Sequence, residues 1–182
     1  MKKFFPNILS ISRIVISFFI IEAVLENNLV CAMVLFVFAS ISDFLDGYLA
    51  REFHLQSDLG AILDPLADKT LMTISYALFV YVKFIPLYTA IIVIGRDLMI
   101  LSAVIVCRIS KVNLKIQPLT SSKINTTIQL LFIILVLACR VLSINVPCLV
   151  ESSAAVVSIF TVFSGAEYVR KYYWIKDKIF KR

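Results

Sequence analysis

An all-α integral membrane protein, with six transmembrane helices and both termini in the cytoplasm, is predicted by three features of the sequence. The first is composition. Of the 182 residues 60% are hydrophobic, and a mean hydropathy of +0.94 is too high for a soluble domain. The second is length, since six apolar segments can be drawn, each close to the ~20 residues that a helix needs to cross a bilayer. The third is the placing of basic residues, which sorts the connections onto two sides.

The first segment runs from Ile8 to Leu25, with Pro6 and Asn7 before it as a start signal. Met1-Lys2-Lys3 ahead of an apolar run is like the beginning of a signal peptide. Arg13 interrupts that run and no small-residue cleavage site follows, so the segment reads as a retained helix. With no long Arg- and Ser-rich presequence, the expected location is a bacterial inner membrane. The second segment starts at Leu29 and runs into the polar stretch Asp43 to Arg51. Phe53 to Gly60 is a polar break. The third segment spans Ala61 to Val82, with Pro65 assigned to its first turn, where a missing N–H does little harm. The fourth spans Pro86 to Cys107, and a polar connector with Lys111, Asn113, Lys115, Gln117 and Pro118 follows. The fifth spans Ile124 to Leu142, and the sixth Pro147 to Tyr168, ahead of a basic tail. The connections Glu26–Asn28 and Lys83–Ile85 are short enough to make their segments antiparallel neighbours. No Gly/Ser-rich linker, repeat or low-complexity tract divides the chain, so residues 1–182 are expected to form one domain.

Lys2, Lys3, Arg51, Arg108, Lys111, Lys115, Lys123 and the tail from Arg170 to Arg182 fall on one side of the predicted bundle. Only Lys83 and Arg140 fall on the other, so the positive-inside rule puts both termini in the cytoplasm. The net charge is +6, from 18 basic and 12 acidic residues. That excess attracts anionic lipid headgroups. No basic patch with interleaved aromatics stands outside the apolar runs, so nucleic acid is not an expected partner. The tail, with Tyr172, Tyr173 and Trp174, reads as an interfacial anchor. Cys31, Cys107, Cys139 and Cys148 have no Cys-x-x-Cys spacing and read as small apolar residues, neither bridged nor nucleophilic.

The chemistry concentrates between Asp43 and Asp68. Asp43 and Asp46 are three apart, and Asp64 and Asp68 four apart, so each pair shares a helix face. A carboxylate near a bilayer centre costs roughly 3 kcal/mol on insertion scales. Four in so apolar a setting need cations to stay ionised. An all-oxygen set without Cys suits hard ions, Mg²⁺ or Mn²⁺. Two such ions about 4 Å apart would neutralise the four acids and make a centre for phosphoryl chemistry. Arg51 offers donors for a phosphate, and Gly47, Ala50 and Gly60 leave room for a ligand. Asp58 reads as a helix-end or water-facing acid, and the lone His54 as a solvated loop residue.

The pattern Asp43-x-x-Asp46-Gly47-x-x-Ala50-Arg51, eight residues, Gly60-x-x-x-Asp64-x-x-x-Asp68 resembles the signature of the CDP-alcohol phosphatidyltransferases. The resemblance extends over most of the chain. It implies transfer of a phosphatidyl group from CDP-diacylglycerol to an alcohol, with release of CMP. By resemblance, Asp43, Asp46 and Asp64 hold two divalent cations, and Asp68 is the general base that also touches a metal. Gly47, Arg51, Ser57, Gly60 and Asn7 are implied on the CDP-diacylglycerol side. Membrane lipids as surroundings and a homodimer as the assembly are further implications.

Residues 6–13 (Pro-Asn-Ile-Leu-Ser-Ile-Ser-Arg) and 63–69 (Leu-Asp-Pro-Leu-Ala-Asp-Lys) resemble the glycerol-acceptor branch, which holds phosphatidylglycerophosphate synthases and the cardiolipin synthases of this fold. Gly95-Arg96-Asp97-Leu98-Met99 and Ser122-Lys123-Ile124-Asn125-Thr126 resemble the cardiolipin synthases more closely. Val104 stands where many glycerophosphate-using relatives carry a second Arg. The expected acceptor is therefore phosphatidylglycerol, with glycerol 3-phosphate as the alternative. Arg96 either holds the acceptor phosphate, with Lys123 near it, or makes a salt bridge between helices; Lys123 alternatively snorkels. Ser164-Gly165-Ala166 offers small residues for helix packing, between segments or between two copies. A divalent-cation transporter or channel is a rival class. It would spread ionisable groups along a path through the bilayer and often carry a repeat, whereas here the acids gather at one face. A non-catalytic scaffold would have lost an acid, and none is lost.

Overall fold

The apolar runs fold as helices. The computed structural model describes the backbone of residues 5–52, 60–109 and 120–180, and the side chains of residues 12, 14–42, 69–103 and 120–171. Its elements are α1 (Phe5–Leu25), α2 (Leu29–Glu52), α3 (Gly60–Tyr81), α4 (Leu87–Ile109), α5 (Thr120–Val141) and α6 (Pro147–Phe180). The described residues thus form an all-helical structure, as the composition predicts.

Several ends differ from expectation. α1 begins at Phe5, so Pro6 lies in its first turn, where its fixed φ suits a helix start. α3 begins at Gly60, which puts Pro65 past the first turn rather than in it. The helix runs on through Pro65 at the loss of one backbone hydrogen bond. α5 begins at Thr120 rather than Ile124. Thr120 and Ser121 are residue types that favour a helix N-terminus. α6 continues to Phe180 rather than stopping at Tyr168, because no Gly or Pro follows Gly165 to end it. Its 34 residues make about 51 Å of helix, longer than the ~30 Å hydrocarbon core of a bilayer.

Three connections share one cap. Asn27, Lys83 and Ser143 have left-handed φ of 59°, 58° and 54°. Around each, the next amide reaches back five residues: Asn28 N–H donates to Ala23 O (2.8 Å), Phe84 to Phe79 (2.7 Å) and Ile144 to Cys139 (2.9 Å). The left-handed residue itself donates three residues back, to Val24, Val80 and Arg140. This is the Schellman arrangement, which satisfies the last carbonyls of a helix. Its usual apolar contact is present at the α3 end, where the Phe79 and Phe84 rings meet edge-on at 5.7 Å. Asn28 then starts α2 by accepting the Cys31 N–H at its Oδ1 (3.3 Å). Glycine is the usual residue at such a position, because a Cβ there is strained by roughly 1 kcal/mol. Ser143→Gly is therefore expected to stabilise the protein by about 1 kcal/mol, read as a rise in thermal midpoint in detergent.

The chain divides into two compact units. One holds α1, α2, α3 and α5 from Ile133; the other holds α4, α5 up to Phe132, and α6 from Cys148. In the first unit α1 packs on both α2 and α3. Ala32, Phe36 and Ala39 are fully buried on α2, at the spacing of one helix face. Ile20, Ala23 and Val24 of α1 and Leu71, Tyr76 and Phe79 of α3 are also buried. The Arg140 guanidinium lies 4.5 Å over the Phe84 ring, a cation–π contact at the α5 end.

The second unit buries many polar side chains beside apolar ones such as Val93, Phe132 and Val157, and exposes large apolar ones. Thr89, Arg96, Asp97, Asn125, Gln129, Ser158, Thr161 and Ser164 are buried, while Ile91, Leu98, Leu131, Ile159, Phe160, Val162 and Phe163 are exposed. A domain in water reverses this order; an outer surface in lipid accounts for it. Among the described residues two stretches are long and apolar enough to cross a membrane, Thr120–Val141 and Pro147–Lys171.

Candidate active site

The acidic positions lie where α2 ends and α3 begins. Asp43, Asp46, Gly47 and Arg51 occupy the last turns of α2, Gly60 opens α3, and Asp64 and Asp68 follow in its early turns. By register on these helices each acid pair shares a face. The side chains of these residues, and of Asn7, Arg13 and Val104, lie outside the described residues; Ser57 lies outside the described backbone as well. Four carboxylates form an oxygen-only donor set, which fits hard divalent cations rather than zinc. Among the described residues no group of three or more His, Cys, Asp or Glu stands together.

A second site lies among the described side chains. It is built around Arg96 of α4, whose side chain is 5% exposed. Arg96 Nη1 donates to Asp97 Oδ1 at 2.7 Å. Nη2 donates to Ser122 Oγ of α5 (2.7 Å) and to Ser164 Oγ of α6 (2.8 Å). The guanidinium carbon stands 5.8 Å from the centre of the Tyr168 ring. α6 lies close enough here that a Cβ on Gly165 would be 3.5 Å from both Arg96 Cγ and Met99 Cε, at ordinary contact distance. A second chain of bonds runs beside the first. Gln129 Nε2 donates to Thr161 Oγ1 (3.0 Å), which donates to Asn125 Oδ1 (3.1 Å). Three buried polar atoms of this region have no partner: Arg96 Nε, Ser121 Oγ and Asn125 Nδ2. Each can donate a hydrogen bond, so the region is donor-rich.

The ion pair of Arg96 is therefore with its neighbour on α4, and the links to other helices are made by hydroxyls. Lys123 follows Ser122 directly and is exposed. Ser164 and Gly165 pack inside this unit, against Arg96, rather than offering a free small-residue surface. Sequence reasoning passed over Gln129, Thr161 and Tyr168. The available signal was helical spacing of polar residues in apolar helices: Ser121, Asn125 and Gln129 on α5, and Thr161, Ser164 and Tyr168 on α6.

Comparison with known proteins agrees with the motif. A cardiolipin synthase (CMP-forming) of Homo sapiens is 30% identical over 184 residues, covering 92% of this chain and 60% of the human protein. A cardiolipin synthase (CMP-forming)/mitochondrial hydrolase fusion protein of Schizosaccharomyces pombe is 32% identical over 178 residues, covering 90% of this chain and 30% of the fusion. A CDP-diacylglycerol–glycerol-3-phosphate 3-phosphatidyltransferase of Aquifex aeolicus is 41% identical over 96 residues, covering 51% of this chain and 53% of that protein. The chain thus spans between 30% and 60% of the length of these relatives. The family described as CDP-alcohol phosphatidyltransferase is generally dependent on a divalent metal. Its substrates are CDP-diacylglycerol and an alcohol acceptor such as glycerol 3-phosphate or phosphatidylglycerol. The model of that family matches residues 3–164, and the chain belongs to it.

Proposed function

We propose that this protein transfers the phosphatidyl group of CDP-diacylglycerol to a glycerol-type alcohol, with phosphatidylglycerol as the acceptor and CMP as the leaving group. The observation that carries this reading is the filled signature Asp43 to Asp68, split between the end of α2 and the start of α3. In this reading Asp43, Asp46, Asp64 and Asp68 hold two divalent cations, Mg²⁺ or Mn²⁺. Such ions supply charge that offsets the diphosphate and the departing CMP. Asp68 takes the proton of the attacking hydroxyl. The acceptor oxygen forms a bond to the phosphatidyl phosphorus, the bond from that phosphorus to CMP breaks, and CMP leaves with the electron pair. Gly47, Arg51, Ser57, Gly60 and Asn7 bind CDP-diacylglycerol. Arg96 and Lys123 bind the acceptor phosphate.

Residues 1–182 act as one domain with six membrane spans in a bacterial inner membrane. Both termini and the acidic stretch lie at the cytoplasmic face, and the assembly is a homodimer. The excess of Lys and Arg in alternate connections supports this orientation. A second reading, with glycerol 3-phosphate as acceptor, draws support from the Aquifex aeolicus relative. A divalent-cation transporter is the rival of a different class. The gathering of the acids near one helix connection argues against it.

A paired assay separates these readings. Purified protein receives Mg²⁺ or Mn²⁺ and CDP-diacylglycerol, with phosphatidylglycerol in one tube and glycerol 3-phosphate in the other. CMP release with phosphatidylglycerol is the expected result. Release with glycerol 3-phosphate alone would move the protein to the second reading, and silence of folded protein in both tubes would refute both.

A further inference from the structure

We propose that Arg140, seated over the Phe84 ring, binds the phosphate of an anionic phospholipid at the end of the first unit remote from the acidic stretch. This is a site apart from the transferase centre. It needs only that these helices cross a membrane, and not any assignment of donor, acceptor or metal.

The tertiary structure brings the pieces together. Lys83 and Arg140 are the two cations that the sequence leaves on the side away from the others. They are far apart in the chain. Yet the Arg140 guanidinium stands 4.5 Å over the ring of Phe84, the residue after Lys83. Both belong to the first unit, as do the left-handed caps at Lys83 and Ser143. The acids of α3 stand in its early turns, and Phe84 follows its other end. Between these ends lie 22 residues of helix, about 33 Å.

The free donors point to a phosphate. A ring holds a guanidinium by one face, which leaves the five N–H groups in its plane open to an oxygen ligand. Here none is engaged. Among the described residues nothing accepts a hydrogen bond from the Arg140 guanidinium, and no carboxylate pairs with it. Glu22 and Glu26 of the same unit are exposed and pair with neither Arg140 nor Lys83. A planar fork of donors matches the oxygens of a phosphate. Exposed Lys83 adds a second positive charge in the cap that supplies the ring. The surroundings select a lipid over a free ion. Tyr81, Leu142 and Ile144, from the same two caps, are large and exposed. Donors beside bare apolar side chains suit a ligand that has both a phosphate and acyl chains, and Tyr is a residue of membrane interfaces. Two cations without an acidic partner favour a headgroup with net negative charge over a zwitterionic one.

Arg140→Gln tests this on purified full-length protein in a neutral detergent. Phosphatidylserine, phosphatidylcholine and inorganic phosphate are titrated separately, and an apparent Kd is read from the rise in thermal midpoint. Phosphatidylserine is chosen because it is neither donor nor acceptor in the proposed reaction. The unaltered protein is expected to bind phosphatidylserine most tightly of the three. Arg140→Gln should weaken that binding about fivefold, the contribution of one basic residue near anionic lipid, with little change for phosphatidylcholine. Arg140→Lys keeps the charge but gives up the planar fork, and is expected to fall between the two. It carries the test alone should Arg140→Gln fail to fold. A lysine variant as tight as the unaltered protein would reduce the effect to unspecific charge and overturn the proposal. So would an unchanged Kd in Arg140→Gln, or phosphatidylcholine bound as tightly as phosphatidylserine. Inorganic phosphate matching phosphatidylserine would mean that a soluble anion, not a lipid, occupies the site.

Discussion

Asp68→Asn is expected to abolish CMP release while leaving the fold and CDP-diacylglycerol binding largely intact. The position lies in the early turns of α3, on the face it shares with Asp64. Asparagine is nearly the same size and keeps one oxygen that can stay on a metal. It cannot take a proton from the attacking hydroxyl. Loss of a positioned general base typically lowers a rate by about a hundred- to ten-thousandfold. The comparison needs three readings on one preparation: CMP release, thermal midpoint, and retention of CDP-diacylglycerol. A fall in rate with the other two preserved assigns proton transfer to Asp68. Normal turnover would show that another group accepts the proton. A loss of CDP-diacylglycerol binding would move Asp68 from proton transfer to metal or substrate binding.

The largest effect on stability is expected at the other site. Arg96→Met removes a buried cation that links α4 to α5 and α6 and leaves the Asp97 carboxylate and two hydroxyls without it. Breaking one side of a buried ion pair costs about 3–5 kcal/mol, a large share of the stability of an ordinary domain. Replacing both charged groups is much milder, since neither member of the pair is then left without the other. Asp97→Leu added to Arg96→Met should therefore recover most of the loss. Unfolding midpoints of the single and double variants in one detergent check this. A single variant as stable as the unaltered protein would mean that the pair adds nothing to the fold. Activity is not the measure here, because Arg96 is also read as an acceptor ligand.

Much of the architecture was legible before any coordinates. Each helix contains a long apolar run, and polar stretches or short connections mark where the runs stop. Local chemistry decides such runs, because a backbone in lipid must bond to itself. The ends were less legible. Pro65 read as a first-turn residue, but α3 had already begun at Gly60. The three left-handed caps are held by Asn27, Lys83 and Ser143, not by the glycine that would have announced them. Single residues seldom signal a cap when the hydrogen bonds around it can hold a strained φ.

The acidic stretch is the part that the sequence determined by itself. Spacing of three and four on predicted helices places Asp43 with Asp46 and Asp64 with Asp68, and this needs only the period of a helix. The surroundings of Arg96 were decided by the tertiary structure alone. Ser122 and Ser164 lie 26 and 68 residues from it. Nothing local could choose them over the other hydroxyls of α5 and α6. Helical period tells which residues share a face, but which faces meet, and at what height, depends on how side chains of distant helices interlock. That rotation and register brought two serines and a tyrosine to one guanidinium, and made Asp97 its ion-pair partner within the same helix.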